Sequence, residues 1–198
     1  MSARIAVLAS GHGTNLQAII DACAGGEIDG SVVAVVVDRP DAHALERAGA
    51  AGIPRVALTR LPEEERADYD ARLAAVVAEH APDWVVLAGW MRILTTRFLG
   101  RFPDRVVNLH PALPGAFPGT KAIERAFAAH EHDGLATTGV MVHLVPDEGV
   151  DNGPVLATAL VPIEPDDTID SLTDRVHLTE HRLLVETLAR LCAQEVSA

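Results

Sequence analysis

Residues 4–37, RIAVLASGHGTNLQAIIDACAGGEIDGSVVAVVV, decide the fold. Residues 4–9 are a short apolar run that reads as a buried strand, 10–15 as a turn and 16–24 as a helix. Residues 31–37 are a second apolar strand, rich in β-branched side chains that suit a pleated, buried surface. The alternation continues. Residues 42–51 read as a helix ended by Gly52 and Pro54, and 55–58 as a short strand. Residues 62–80 read as a long helix, with proline at its start and three glutamates in its first turn. Residues 84–88 (WVVLA) and 105–109 read as two further strands. Strands alternating with helices predict an α/β fold, a mostly parallel sheet with helices on both faces.

Past residue 110 the pattern changes. Residues 123–130 read as helix, and 137–145 and 155–162 as strands separated by a Gly/Asp/Pro loop, an antiparallel C-terminal addition. Residues 170–192 read as a long last helix, capped at Thr168 or Asp170. No repeat, low-complexity tract or linker interrupts residues 1–198, so a single domain is expected.

Composition narrows the function. Of the 198 residues 48 % are hydrophobic, yet no apolar run approaches the roughly 20 residues that span a bilayer. Residues 1–9 lack the apolar core and cleavage site of a signal peptide. A soluble, cytoplasmic protein is expected. Its net charge of −12 repels polyanions and argues against a nucleic-acid surface, though not against a local anion site. Cys23 and Cys192 lie far apart in sequence and read as small buried hydrophobes. Oligomeric state is not readable.

The chemistry concentrates at strand ends. Residues 106–119, VVNLHPALPGAFPG, end an apolar strand in Asn108 and His110, then enter a loop set by three prolines and two glycines. Residues i and i+2 on a strand face one side, so Asn108 and His110 share one space at the C-terminal edge of the sheet, where open α/β sheets bind ligands. Asn108 can donate from its amide to a developing oxyanion, and His110 can carry a proton near neutral pH. Asp151, in the 146–154 loop PDEGVDNGP, could orient the imidazole and raise its pKa, whereas Asp147 and Glu148 read as solvated turn acids. Spacing by itself does not choose among the three.

The first loop, Ser10-Gly11-His12-Gly13-Thr14-Asn15, joins a strand to a helix. Its glycines let backbone N–H groups approach an anion, and the helix N-terminus favours negative charge. It is neither G-x-x-x-x-G-K-[ST] nor G-x-G-x-x-G, which points away from ATP and NAD and toward a phosphate monoester. The segment Gly89-Trp90-Met91-Arg92-Ile93-Leu94 suits a flat, partly apolar ligand contacted by backbone groups. His177 and His181 form the only i, i+4 histidine pair and read as a solvated helix face. No zinc or G-x-S-x-G motif is present, so no metal is expected.

Taken together, SGHGTN, GWMRIL, NLHPALPGAFPG and DEGVDNGP, in this order, resemble the phosphoribosylglycinamide formyltransferase family of purine biosynthesis, over residues 4 to about 190. The resemblance implies a Rossmann-like formyltransferase fold and transfer of a formyl group from the co-substrate 10-formyltetrahydrofolate to the amine of 5′-phosphoribosylglycinamide. It implies Asn108, His110 and Asp151 as catalytic residues. Gly11, Gly13, Thr14, Asn15 and Glu180 would bind phosphoribosylglycinamide. Arg66, Met91, Arg92, Ile93, Leu94 and Asn108 would bind the folate.

The chain departs from the family pattern twice: Ala116 stands where many members have lysine, and 143–151 is one residue longer than in some members. Two relatives share the Asn-His-Asp core, methionyl-tRNA formyltransferase and formyltetrahydrofolate deformylase. Each has a further domain, which this chain is expected to lack. A ligand-binding module without chemistry would not need Asn108, His110 and Asp151 together. Partners are expected to be small molecules, without nucleic acid or membrane.

Overall fold

A computed structural model describes residues 2–195. One seven-stranded sheet runs through it, in the order β3-β2-β1-β4-β5-β6-β7. The strands are β1 (Ala3–Ala9), β2 (Gly30–Val37), β3 (Arg55–Ala57), β4 (Trp84–Leu87), β5 (Val106–His110), β6 (Thr137–Leu144) and β7 (Val155–Pro162). β1 to β5 pair in parallel. β5–β6 and β6–β7 pair antiparallel, as the change of pattern after residue 110 predicts.

Helices cover both faces. On one lie α1 (Thr14–Gly25), α2 (Ala44–Ala50), α5 (Ala122–Asp133) and α6 (Ile169–Glu195), sealing a core that includes Val7, Leu16, Ile19, Val35, Val86 and Leu184. On the other lie α3 (Arg66–Ala78) and α4 (Thr96–Leu99), over Leu8, Tyr69, Leu73, Val85 and Phe98. Two-sided burial explains why β1, β2 and β4 read as unbroken apolar runs rather than alternating ones.

The chain runs from β1 outward to β2 and β3, then returns to β4 on the other side of β1. The sheet therefore reverses its strand order between β1 and β4, and their C-terminal ends open the crevice where such sheets bind ligands.

The third helix is shorter than its sequence suggests. It starts at Arg66, not Pro62. Glu63 takes a left-handed φ of 61°, and the Glu64 carboxylate accepts the Leu61 N–H at 2.8 Å while pairing with Arg72 at 2.6 Å. The glutamates thus build a turn rather than a first helical turn, because side-chain bonds to the backbone compete with the helix. The single turn α4 is too short to leave a periodic signal in the sequence. The expected cap of α6 is present: Thr168 Oγ1 accepts the Ser171 N–H at 3.2 Å.

Candidate active site

β5 brings Asn108 and His110 to the C-terminal edge of the sheet, and both line a cavity of about 400 Å³. Its walls are residues 89–94 after β4, 108–111 at the end of β5, 119–122 beyond it, His143 and Val145 from the end of β6, and Asp147 with 149–151 from the following loop. The volume suits a drug-sized organic ligand. Met91 and Ile93 are 64 % and 44 % exposed and offer apolar surface to it.

Asp151 is the hub. Its Oδ1 accepts the Asn108 Nδ2–H at 3.0 Å, and its Oδ2 accepts the Gly119 N–H at 2.8 Å and lies 3.3 Å from His110 Nδ1. It sits at a left-handed φ of 51°, a conformation aspartate tolerates better than most residues. Burial pushes its carboxyl up, but the neighbouring His143 ring, the Gly119 N–H and the His110 imidazole outweigh that, and the net shift is downward. Asp151 therefore stands as a carboxylate at neutral pH.

His110 is buried, and both its ring nitrogens face acceptors: Nδ1 faces Asp151, and Nε2 lies 3.1 Å from the Phe117 carbonyl oxygen. That arrangement suits a ring protonated at both nitrogens. Burial nevertheless prevails over Asp151 and the loop carbonyls, and the pKa of His110 lies below its ordinary value. Asp151 does pull it upward, as expected, but removal from water costs the imidazolium more than the carboxylate and the loop carbonyls return.

The proline loop is held from behind. Arg125 of α5 donates to the Pro118 carbonyl at 2.7 Å and lies over the Phe117 ring at 5.6 Å. Ala116 sits in a turn, its N–H on the Leu113 carbonyl. The chain's only lysine, Lys121, stands on the cavity wall at the start of α5.

Of the remaining acids, Asp147 accepts the Gly149 N–H at 2.8 Å, a local turn bond. Glu148 is exposed, as expected of a turn acid, but it is not free. It pairs with Arg66 at the start of α3, and its Oε1 accepts the Thr96 N–H at 3.2 Å. The Asp151 loop is thereby tied to both α3 and α4. Arg66 does not line the cavity; it lies at the rim, engaged by Glu148.

The 89–95 segment is fixed by buried polar groups. Ser10 Oγ accepts the Met91 N–H at 2.9 Å, and Asp70 Oδ2 accepts the Thr95 N–H at 2.5 Å. The Arg92 side chain bonds Asp38 at 2.7 Å and lies over the Tyr69 ring. Met91, Arg92, Ile93 and Leu94 all line the cavity, but the Arg92 guanidinium is already committed to Asp38.

Gly11, Gly13, Thr14, Asn15 and Glu180 stand apart from the cavity lining, in a second cluster at the end of β1. Ser10 joins the two, because its N–H bonds the Gly89 carbonyl and its hydroxyl bonds Met91. The carbonyls of Ser10, Gly11 and His12 are held by Arg39, Ala44 N–H and Arg47 respectively. The N–H groups of Gly11, His12 and Gly13 have no acceptor among the described residues. Gly13 caps α1 at φ 72°, and a Cβ there would lie 2.9 Å from Ala44. Only glycine fits. Free N–H groups at a helix N-terminus form an anion site.

Glu180 of α6 reaches this cluster, with its buried carboxyl near the Asn15 side chain. Burial pushes it up to about 7. His181, read from sequence as part of a solvated face, instead has its Nε2 buried between α6 and α1. Cys192 is buried and Cys23 half-buried, and neither is in a disulfide.

Sequence reasoning missed His143. It lies directly across from Asn108 in the β5–β6 ladder, with Nε2 3.1 Å from Asn108 Nδ2 and 3.5 Å from Asp151 Oδ1. Its signal was a single polar residue within the apolar run GVMVHLV, and only the strand register reveals its partner. No group of three or more His, Cys, Asp or Glu side chains among the described residues is arranged to hold a metal ion. No helix among them is long and apolar enough to cross a membrane.

The chain is similar to known proteins over nearly its whole length. Residues 3–188 match the formyl transferase family. Phosphoribosylglycinamide formyltransferase of Dictyostelium discoideum is 42 % identical, over 96 % of this chain and 98 % of that protein. The Mycobacterium tuberculosis protein of the same name is 44 % identical, over 98 % and 87 %. The crystal structure of glycinamide ribonucleotide transformylase 1 from Symbiobacterium toebii superposes with a TM-score of 0.91 at 40 % identity, covering 97 % of this chain and 88 % of that one. That of phosphoribosylglycinamide formyltransferase from Bacillus halodurans gives 0.91 at 39 %, covering 97 % and 96 %. The chain belongs to the formyl transferase family and, within it, to the phosphoribosylglycinamide formyltransferases.

Proposed function

We propose that this enzyme transfers the formyl group of 10-formyltetrahydrofolate to the amine of 5′-phosphoribosylglycinamide in de novo purine biosynthesis, with Asn108, His110 and Asp151 as its catalytic residues. The observation that carries the assignment of residues is the convergence of those three side chains on one cavity wall, within 3.3 Å of one another through Asp151.

The two ligands divide between the two clusters. The substrate phosphate belongs at the free N–H groups of Gly11 and Gly13 and the first turn of α1, with Thr14 and Asn15 beside it and Glu180 behind. That remote binding holds the amine for reaction. The folate ring system fits the cavity, against Met91, Ile93, Leu94 and Val150 and the backbone of Arg92. Arg66 at the rim suits a carboxylate of the folate tail.

Attack of the amine on the formyl carbon forms one C–N bond and places negative charge on the formyl oxygen. An Asn108 N–H donates to that oxygen. His110, neutral at rest and backed by Asp151, takes the proton released by the amine and, charged, faces the same oxygen. It returns the proton to the folate nitrogen as the second C–N bond breaks. Asp151 holds the ring and balances its charge.

The test is a spectrophotometric assay with both substrates. Formyl transfer that requires the glycinamide substrate supports the proposal. Release of formate at the same rate without it would make the protein a hydrolase instead.

A further inference from the structure

We propose that His143 is a positioning residue of this site: its Nε2 lone pair accepts one Asn108 amide hydrogen and so holds Nδ2, rather than Oδ1, on the Asp151 side. The inference rests on the proposed function, since it concerns how Asn108 presents its N–H.

The ring of His143 is buried and its tautomer is set locally. Nδ1 lies 2.8 Å from the Leu144 carbonyl oxygen, which requires a hydrogen on Nδ1. The neutral ring then has a bare Nε2, which meets Asn108 Nδ2 at 3.1 Å. The second acceptor of Nδ2 is Asp151 Oδ1 at 3.0 Å. Two amide hydrogens thus have two acceptors. Turned by 180°, the amide would set its own oxygen against both of them, three lone-pair atoms with no hydrogen among them. The register fixes this arrangement, because Asn108 and His143 are direct partners across β5 and β6.

The two bonds have different fates in the reaction. Asp151 has other donors, the Gly119 N–H at 2.8 Å and His110 Nδ1 at 3.3 Å, so it can share the Asn108 hydrogen with an oxygen that gains charge beside it. The bond to His143 lies away from that exchange and keeps the amide from rotating. A neighbour that orients a functional group in this way acts on turnover and leaves binding largely intact.

The experiment combines variants with a wild-type measurement. His143→Leu keeps much of the buried volume and removes the acceptor. His143→Gln offers an amide oxygen near the place of Nε2. His143→Leu should lower kcat by about 10- to 100-fold with both KM values within about threefold, and His143→Gln should restore most of the loss. Placed in an Asn108→Ala background, His143→Leu should cost almost nothing more, because both changes remove the same N–H. Additive losses, or a His143→Leu enzyme with wild-type kcat beside an impaired Asn108→Ala, would overturn the inference. An Asn108→Ala enzyme with normal kcat would instead overturn the proposed role of Asn108. Should His143→Leu fail to fold, ring nitrogen NMR of the wild-type protein decides: Nδ1 protonated with Nε2 bare is expected, and a proton on Nε2 of the free enzyme overturns the inference.

Discussion

Glu148 and Arg66, separated by 82 residues, form an ion pair that ties the loop carrying Asp151 to the start of α3. The same carboxylate accepts the Thr96 N–H, so one side chain joins three elements at the cavity rim. Both partners are about half exposed, and such pairs contribute little to global stability, about 0–1 kcal/mol. Glu148→Ala should therefore leave urea denaturation nearly unchanged, within about 1 kcal/mol, yet lower kcat severalfold as the Asp151 loop loosens. Unchanged kcat in steady-state assays would remove the loop tie from the account.

His110, backed by Asp151, is the proposed proton carrier of the cavity. His110→Ala should lose on the order of 10²-fold or more in turnover while the fold persists. Circular dichroism confirms the fold, and single-turnover formyl transfer reads the loss. Near-normal turnover would reassign the proton carrier.

The Gly11–Asn15 cluster gives a prediction about binding rather than rate. Asn15→Leu removes the amide that lies near Glu180 and flanks the free N–H groups. It should raise the KM for phosphoribosylglycinamide by about tenfold, the worth of about one charge-assisted hydrogen bond, and leave kcat within a few-fold. In the wild type, the unphosphorylated riboside should bind much more weakly than the phosphorylated one. Equal binding of the two would place the phosphate elsewhere.

Glu180 couples stability to pH. Burial raises its carboxyl from 4.5 to about 7, so the folded protein keeps a proton that the unfolded chain releases near 4.5. The associated stability is fully present below about 4.5 and is lost as pH rises through about 7. Glu180→Gln cannot ionise and should not show this loss. Relative to wild type, it should gain about 2 kcal/mol between pH 5 and pH 8 in denaturant titrations. A constant difference across that range would mean the carboxyl ionises normally.

Much of the architecture was legible because it rests on local rules. Two-sided burial makes β1, β2 and β4 continuous apolar runs, and β-branched content marks them as strands. The α3 boundary was misread because Glu63 and Glu64 enter a side-chain-capped turn, which depends on Arg72 eight residues beyond Glu64. At the site, Asn108 and His110 could be placed together from the period-two geometry of a strand alone. Asp151 could be nominated but not chosen over Asp147 and Glu148, since all three occupy the same loop.

The amino-acid sequence alone determined the α/β class, the strand-end position of Asn108 and His110, and a glycine loop at a helix start. These follow from periodicity, propensity and the conformational limits of glycine and proline, which act over a few residues. Only the tertiary structure decided that Asp151 joins Asn108, His110 and Gly119, that Glu148 pairs with Arg66, and that His143 faces Asn108. Those relationships depend on strand register and on loops meeting across 30 to 80 residues of chain. The pKa of His110 belongs to the same group: whether the carboxylate or the loss of water prevails depends on how deeply the folded protein buries the ring.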